Sequence, residues 1–114
     1  MINQLRIYEI FEETKAAFHA RFRDHAQRIM TTHGFSILAM WETRRNDRTE
    51  FVYLLAWSDD AAKDAAWAAF MADEEWQEIK RETAATHGDL VGEIEDRVLQ
   101  ASDYSAALPA RTGT

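Results

Sequence analysis

The segment Phe51-Val52-Tyr53-Leu54-Leu55-Ala56-Trp57 is apolar or aromatic at every position. A half-solvated antiparallel strand alternates apolar with polar side chains, so a strand of this pattern has no face suited to water. Its neighbour, Phe35-Ser36-Ile37-Leu38-Ala39-Met40-Trp41, is almost as apolar, and only the polar stretch from Glu42 to Glu50 separates the two. That spacing predicts a hairpin with strands at about 35–42 and 50–57, inside an antiparallel sheet. A chain of 114 residues carries only enough helix to cover one face of such a sheet. The other face is expected to meet a partner or a ligand.

The remaining pattern supplies the rest of the sheet and its cover. Leu5 to Phe11 alternates and reads as a first strand. Thr14 is placed to cap a helix from Lys15 to His33, with Gly34 at its end. Ser58 is placed to cap a second, alanine-rich helix, with Asp59 and Asp60 at the positive end of its dipole. Asp73, followed by Glu74 and Glu75, repeats the start signal and predicts a third helix over 74–86, which Gly88 ends. Leu90 to Leu99 is a last strand, and Glu93, Glu95 and Arg97 on one of its faces suit a sheet edge. The order is βαββαβ with the second helix split. It predicts an α+β, ferredoxin-like sandwich with a four-stranded antiparallel sheet, whose uncovered face packs on a second copy. The domain is expected over 1–104, with 105–114, including Pro109, as a loose tail.

Composition narrows the class. Acidic residues outnumber basic ones by twenty to thirteen, a formal net charge of -7, which argues against nucleic acid as a partner. Absence of cysteine rules out a disulfide framework and a thiolate nucleophile. No apolar run approaches the roughly 20 residues of a membrane helix, and the N-terminus has no signal-peptide pattern. The expectation is a cytoplasmic protein with no membrane partner.

Several segments together carry a resemblance. They are Leu5-Arg6-Ile7-Tyr8-Glu9, the stretch from His33-Gly34-Phe35 to Met40-Trp41-Glu42, the strand Glu50-Phe51-Val52-Tyr53-Leu54, and Ala66-Trp67-Ala68-Ala69-Phe70-Met71-Ala72-Asp73 with Trp76 beyond it. In this order and spacing, over about 5–104, the chain resembles the NIPSNAP family. The resemblance implies the dimeric α/β-barrel arrangement, in a superfamily that also holds cofactor-free monooxygenases, haem-handling enzymes and small stress-response domains. It implies no catalytic residues, because the family has no settled set.

Candidate chemistry rests on a few side chains. On a regular helix Phe18, Phe22, His25 and Ile29 share a stripe, which puts His25 toward the sheet. There it is either a pocket acid, base or ligand, or a core histidine bonded to a carbonyl or to Tyr8 or Tyr53. Tyr53 is a hydroxyl on an otherwise apolar strand, and Trp41 either lines a cavity or fills core and interface. Glu9 shares its strand face with Leu5, Ile7 and Phe11, so it is either a base with a raised pKa or a paired carboxylate. Arg44, Arg45 and Arg48 form a basic turn that either grips an anion or is merely soluble. His19, His33 and His87 do not converge at metal-ligand spacing, so no metal site is expected, and no cofactor fingerprint is present.

Two functions from different classes follow. One is a homodimeric binding or interaction module with a small apolar ligand pocket. The other is a cofactor-free or haem-linked enzyme using a helix–sheet pocket that carries His25, Tyr53 and Trp41. The first is favoured, because no convergent catalytic set is visible in the chain.

Overall fold

The computed structural model describes residues 1–108. Four strands form one antiparallel sheet: β1 (Ile2–Ile10), β2 (Ser36–Arg45), β3 (Arg48–Trp57) and β4 (Val91–Leu99), in the order β2-β3-β1-β4. The helices are α1 (Lys15–Arg21), α2 (Gln27–Thr32), α3 (Asp60–Ala72) and α4 (Glu74–His87). With the helices against one face of the sheet, this is the expected ferredoxin-like α+β sandwich. The most apolar strand, β3, lies inside with β1, while β2 and the charged β4 form the edges, the latter as its pattern predicted.

Register divides the side chains between the two faces, because residues directly opposite one another share a side. Gln4, Arg6, Tyr8 and Ile10 of β1 face Leu55, Tyr53, Phe51 and Thr49 of β3. Those β3 residues and Trp57 are buried under the helices. Asn3, Leu5, Ile7 and Glu9 match Ala56, Leu54, Val52 and Glu50 on the other face, which no helix covers. Leu38 is an extra residue in β2, so Ala39 and Trp41 come to stand beside Leu54 and Val52 on that open face.

The structure corrects several boundaries. The polar stretch 42–50 is mostly strand rather than turn. Only Asn46 and Asp47 connect β2 to β3, with φ of 51° and 63°. Both types tolerate the left-handed region that a twist-matched two-residue hairpin needs. Asp59, and not Ser58, caps α3 by accepting from the Ala62 amide at 2.8 Å. Asp73 caps α4 as expected, accepting from Trp76, and Gly88 follows with φ +75°. The tail's residues 109–114 lie outside the described residues.

The largest correction concerns the first helix. It is not one regular α-helix from Lys15 to His33. A 3-10 turn covers Glu12–Thr14, and a π-helical segment, Phe22–Ala26, separates α1 from α2. Thr14 makes no side-chain cap, and its buried hydroxyl has no partner among the described residues. The wider turn holds one more residue than an α-turn, so steps of four stay in line through it. Phe18, Phe22, Ala26 and Met30 therefore form the buried stripe together with Ile29. His25, which regular helical spacing placed toward the sheet, is rotated out and exposed.

The core is built largely of rings. Phe51 packs against Phe18 at 5.0 Å and Phe22 at 4.8 Å, with Tyr8 and Tyr53 beside it. Phe35, Trp57, Trp67, Phe70 and Trp76 make a second cluster at the other end. Replacing Phe51 with Ala removes the ring at the centre of the first cluster and is expected to cost about 3–5 kcal/mol. Urea denaturation checks this, and a loss under about 1 kcal/mol would refute the packing described.

Candidate functional site

Between the helices and the β1–β4 half of the sheet lies a cavity of about 230 Å³. Its walls are apolar: Phe18, Phe22, Ala26 and Met30 from the first helical region, Trp67, Phe70 and Met71 from α3, Trp76 from α4, and Val91 and Ile94 from the sheet. The π-segment forms one wall, since its wider turn brings both Phe22 and Ala26 to the cavity. Arg6 and Tyr8 of β1 supply polar groups from the sheet, and Arg21 and Lys80 supply charge from the helices.

These polar groups are tied into a network. The Tyr8 and Tyr53 hydroxyls lie 2.5 Å apart, and Arg6 Nη2 donates to the Tyr8 hydroxyl at 3.3 Å. The Arg6 guanidinium stacks over the Trp67 ring at 4.4 Å, a favourable site for a cation. It meets the Asp96 carboxylate at 3.5 Å, and its Nε is buried without a hydrogen-bond partner among the described residues. Below Arg6 in the same register, Gln4 is buried and hydrogen-bonded through both its amide oxygen and its amide nitrogen. Its Oε1 accepts from both Trp57 and Trp67 Nε1, at 2.9 and 2.8 Å, and its Nε2 donates to Asp96. Gln4 thereby fixes the Trp67 ring on which Arg6 rests.

Electrostatics follow from burial and these neighbours. Burial alone lowers the Arg6 pKa, but the Tyr8 and Tyr53 hydroxyls outweigh it and raise the value above the ordinary one, so Arg6 stays charged. Burial lowers Arg21, opposed by Tyr8. Burial pushes the Tyr53 phenol well above its usual 10.0, helped by Tyr8 and opposed by Arg6.

Of the five residues expected to share a pocket, His25, Tyr53, Trp41, Glu9 and Tyr8, the structure brings together only Tyr8 and Tyr53. Trp41 lies on the open face, half exposed, across the sheet from Tyr53. Glu9 lies on the open face too. It accepts from the Glu93 amide at 3.1 Å and sits 3.9 Å from Arg48, so it is a paired carboxylate. His25 lies in a shallow groove between the first helix and α4, near Glu82 and His87. Two of the other histidines have carboxylate partners, His19 with Glu42 and His33 with Asp73, both at 2.8 Å. Arg48 of the basic turn pairs with Glu50 and Glu93, and Arg44 with Glu12. Among the described residues no group of three or more histidine and carboxylate side chains is placed to hold a metal.

Sequence reasoning missed Arg6 and Gln4. Alternation does put them on the side of Tyr8, and a charge on the face of a buried tyrosine was the available signal.

Tyr53 gives a pH-dependent expectation. Its folded pKa is raised, so its share of stability is fully present below pH 10 and is lost as pH rises above that value, where unfolding releases an ordinary phenol. Urea midpoints should fall from pH 9 toward pH 11 in the wild type and fall less in Tyr53→Phe. Parallel slopes for the two proteins would contradict the assignment.

Comparison with known proteins supplies the relationship. Residues 3–106 match the NIPSNAP family. A protein of Agrobacterium tumefaciens superposes with a TM-score of 0.79 at 18% identity, covering 95% of this chain and all of its own. A NIPSNAP-like domain protein of Burkholderia xenovorans gives 0.78 at 21% identity, covering 96% of this chain and 91% of its own. A Streptomyces coelicolor monooxygenase, solved with the ligand nanaomycin D, shares the fold at a TM-score of 0.57 and 14% identity, over 96% of this chain and 92% of its own. Comparison with curated proteins returned no match. The earlier resemblance is thus met across nearly the whole chain: it belongs to the NIPSNAP family.

Proposed function

We propose that the chain is a homodimeric binding module whose helix–sheet cavity takes a small apolar ligand. The observation that carries this reading is the bare sheet face. Leu5, Ile7, Ala39, Val52 and Leu54 form its centre, Trp41 is half exposed beside them, and no helix packs there. A contiguous apolar surface of this kind is a liability in water unless something covers it. A second copy offering the same face buries like against like, and about 800 Å² per partner is an ordinary stable interface. β4 strengthens the case, because Ile94 and Val98 on its helix side and Leu99 on the other are all about half exposed.

The ligand half of the reading is supported by the cavity itself. It is largely apolar, with few polar groups converging on it, which is the usual composition of a small-molecule site. The catalytic alternative needed His25, Tyr53 and Trp41 around one space, and these three lie in a surface groove, in the core and on the opposite sheet face.

Native mass spectrometry on freshly purified protein should give a dimer at micromolar concentration. Leu54→Glu puts a charge in the middle of the open face and should give a monomer with unchanged far-ultraviolet circular dichroism. A wild-type monomer would sink the dimer, whereas a dimer that survives Leu54→Glu would move the interface elsewhere.

A further inference from the structure

The cavity's charges do not balance. Arg6 meets one carboxylate, Asp96, at the long separation of 3.5 Å, and Asp96 also accepts from Gln4. Charge-assisted bonds between such groups ordinarily run about 2.7–2.9 Å. Arg6 Nε has no hydrogen-bond partner among the described residues, although it is buried. Arg21 makes no ion pair among the described residues and meets the Trp76 ring at 5.3 Å, with Lys80 over the same ring at 5.9 Å. Three cations thus reach an otherwise apolar space that one half-exposed carboxylate only partly offsets. A buried cation with incomplete pairing is costly. The whole chain carries a net charge of -7, so attraction for an anion here is a local property of the cavity and not of the surface at large.

We propose that this cavity takes an aromatic carboxylate, with a one- or two-ring body against Phe22, Trp67, Phe70 and Trp76 and its carboxylate on the Arg6 guanidinium and the Tyr8 hydroxyl. The inference rests on the reading of the cavity as a ligand site and adds the ligand's chemical class. Size agrees: an apolar cavity of about 150 Å³ holds benzene, and this one is about 230 Å³. Shape agrees as well, because the walls are mostly flat rings. One face of the guanidinium lies on Trp67, which leaves its N–H edge as the recognition surface, and that planar fork matches a carboxylate. Tyr8, already bonded to Tyr53, donates to the incoming anion while Tyr53 donates to Tyr8.

The test is calorimetric titration of the full chain with 1-naphthoate and with its neutral analogue 1-naphthamide. Wild type should bind the acid at least about tenfold more tightly, a difference worth about 1.4 kcal/mol. Added salt should weaken the acid and leave the amide unchanged. Arg6→Met should erase the preference while keeping amide affinity. Arg21→Met, on the helix and outside the tyrosine network, should narrow it, and serves as the comparison if Arg6→Met fails to fold. Equal affinities, or a preference for the amide, would overturn the carboxylate assignment and leave the apolar-ligand reading intact. Binding of neither compound at millimolar concentration would remove both.

Discussion

The rest of the molecule depends on β3 having no side that tolerates water. Phe51, Tyr53, Leu55 and Trp57 point toward the helices and are buried, while Val52, Leu54 and Ala56 point the other way and are only partly covered. A strand apolar on both sides must sit inside a sheet, and here β1 and β2 flank it. The helices then have one face to cover: Phe18 of α1 lies edge-on to Phe51, and Phe35, in the connection before β2, lies edge-on to Trp57. Such ring pairs contribute beyond the area they bury. Covering one face leaves the other as an unsatisfied apolar surface, and the dimer proposed above follows from that same strand.

A second constraint comes from the π-segment. A regular helix through Phe22–Ala26 would have carried His25 toward the sheet and left Ala26 at the edge of the buried stripe. Widening the turn reverses the two. The small side chain of Ala26 then meets the cavity, and the space stays open between Phe22 and Met30. Irregular turns of this kind are costly and recur where a site must be shaped. The cavity is therefore a product of local helical geometry as much as of side-chain volume.

Polar groups under the helices are few and interdependent. Gln4 orients Trp57 and Trp67, Trp67 supports Arg6, and Arg6 contacts the Tyr8 hydroxyl that is bonded to Tyr53. Each member gives the next its partner, which is how polar groups persist in an apolar interior. The chain of contacts is incomplete at Arg6, whose buried Nε has no hydrogen-bond partner among the described residues.

The fold was legible from residues because it depends on periodicity, and periodicity is local. Strand alternation, the Asp73 and Gly88 helix signals and the two-faced pattern of 51–57 each report a requirement that neighbouring residues satisfy together. Strand ends were read short because Glu42 to Arg45 are polar yet extended, and the two-residue turn at Asn46-Asp47 depends on backbone angles more than hydrophobicity. Tyr8 and Tyr53 were legible as candidates, though their meeting required the register of β1 on β3. Glu9, Trp41 and His25 were separated only by tertiary structure. Sheet pairing and the bulge at Leu38 assigned the first two to the open face, and a change of helical pitch turned the third to solvent. The sequence by itself determined which elements form and that one sheet face stays bare, because both follow from where apolar side chains recur. Which polar side chains converge was decided only by the tertiary structure, since it rests on register, bulge and helix pitch, and each of these shifts a side chain's direction without changing the pattern from which it was read.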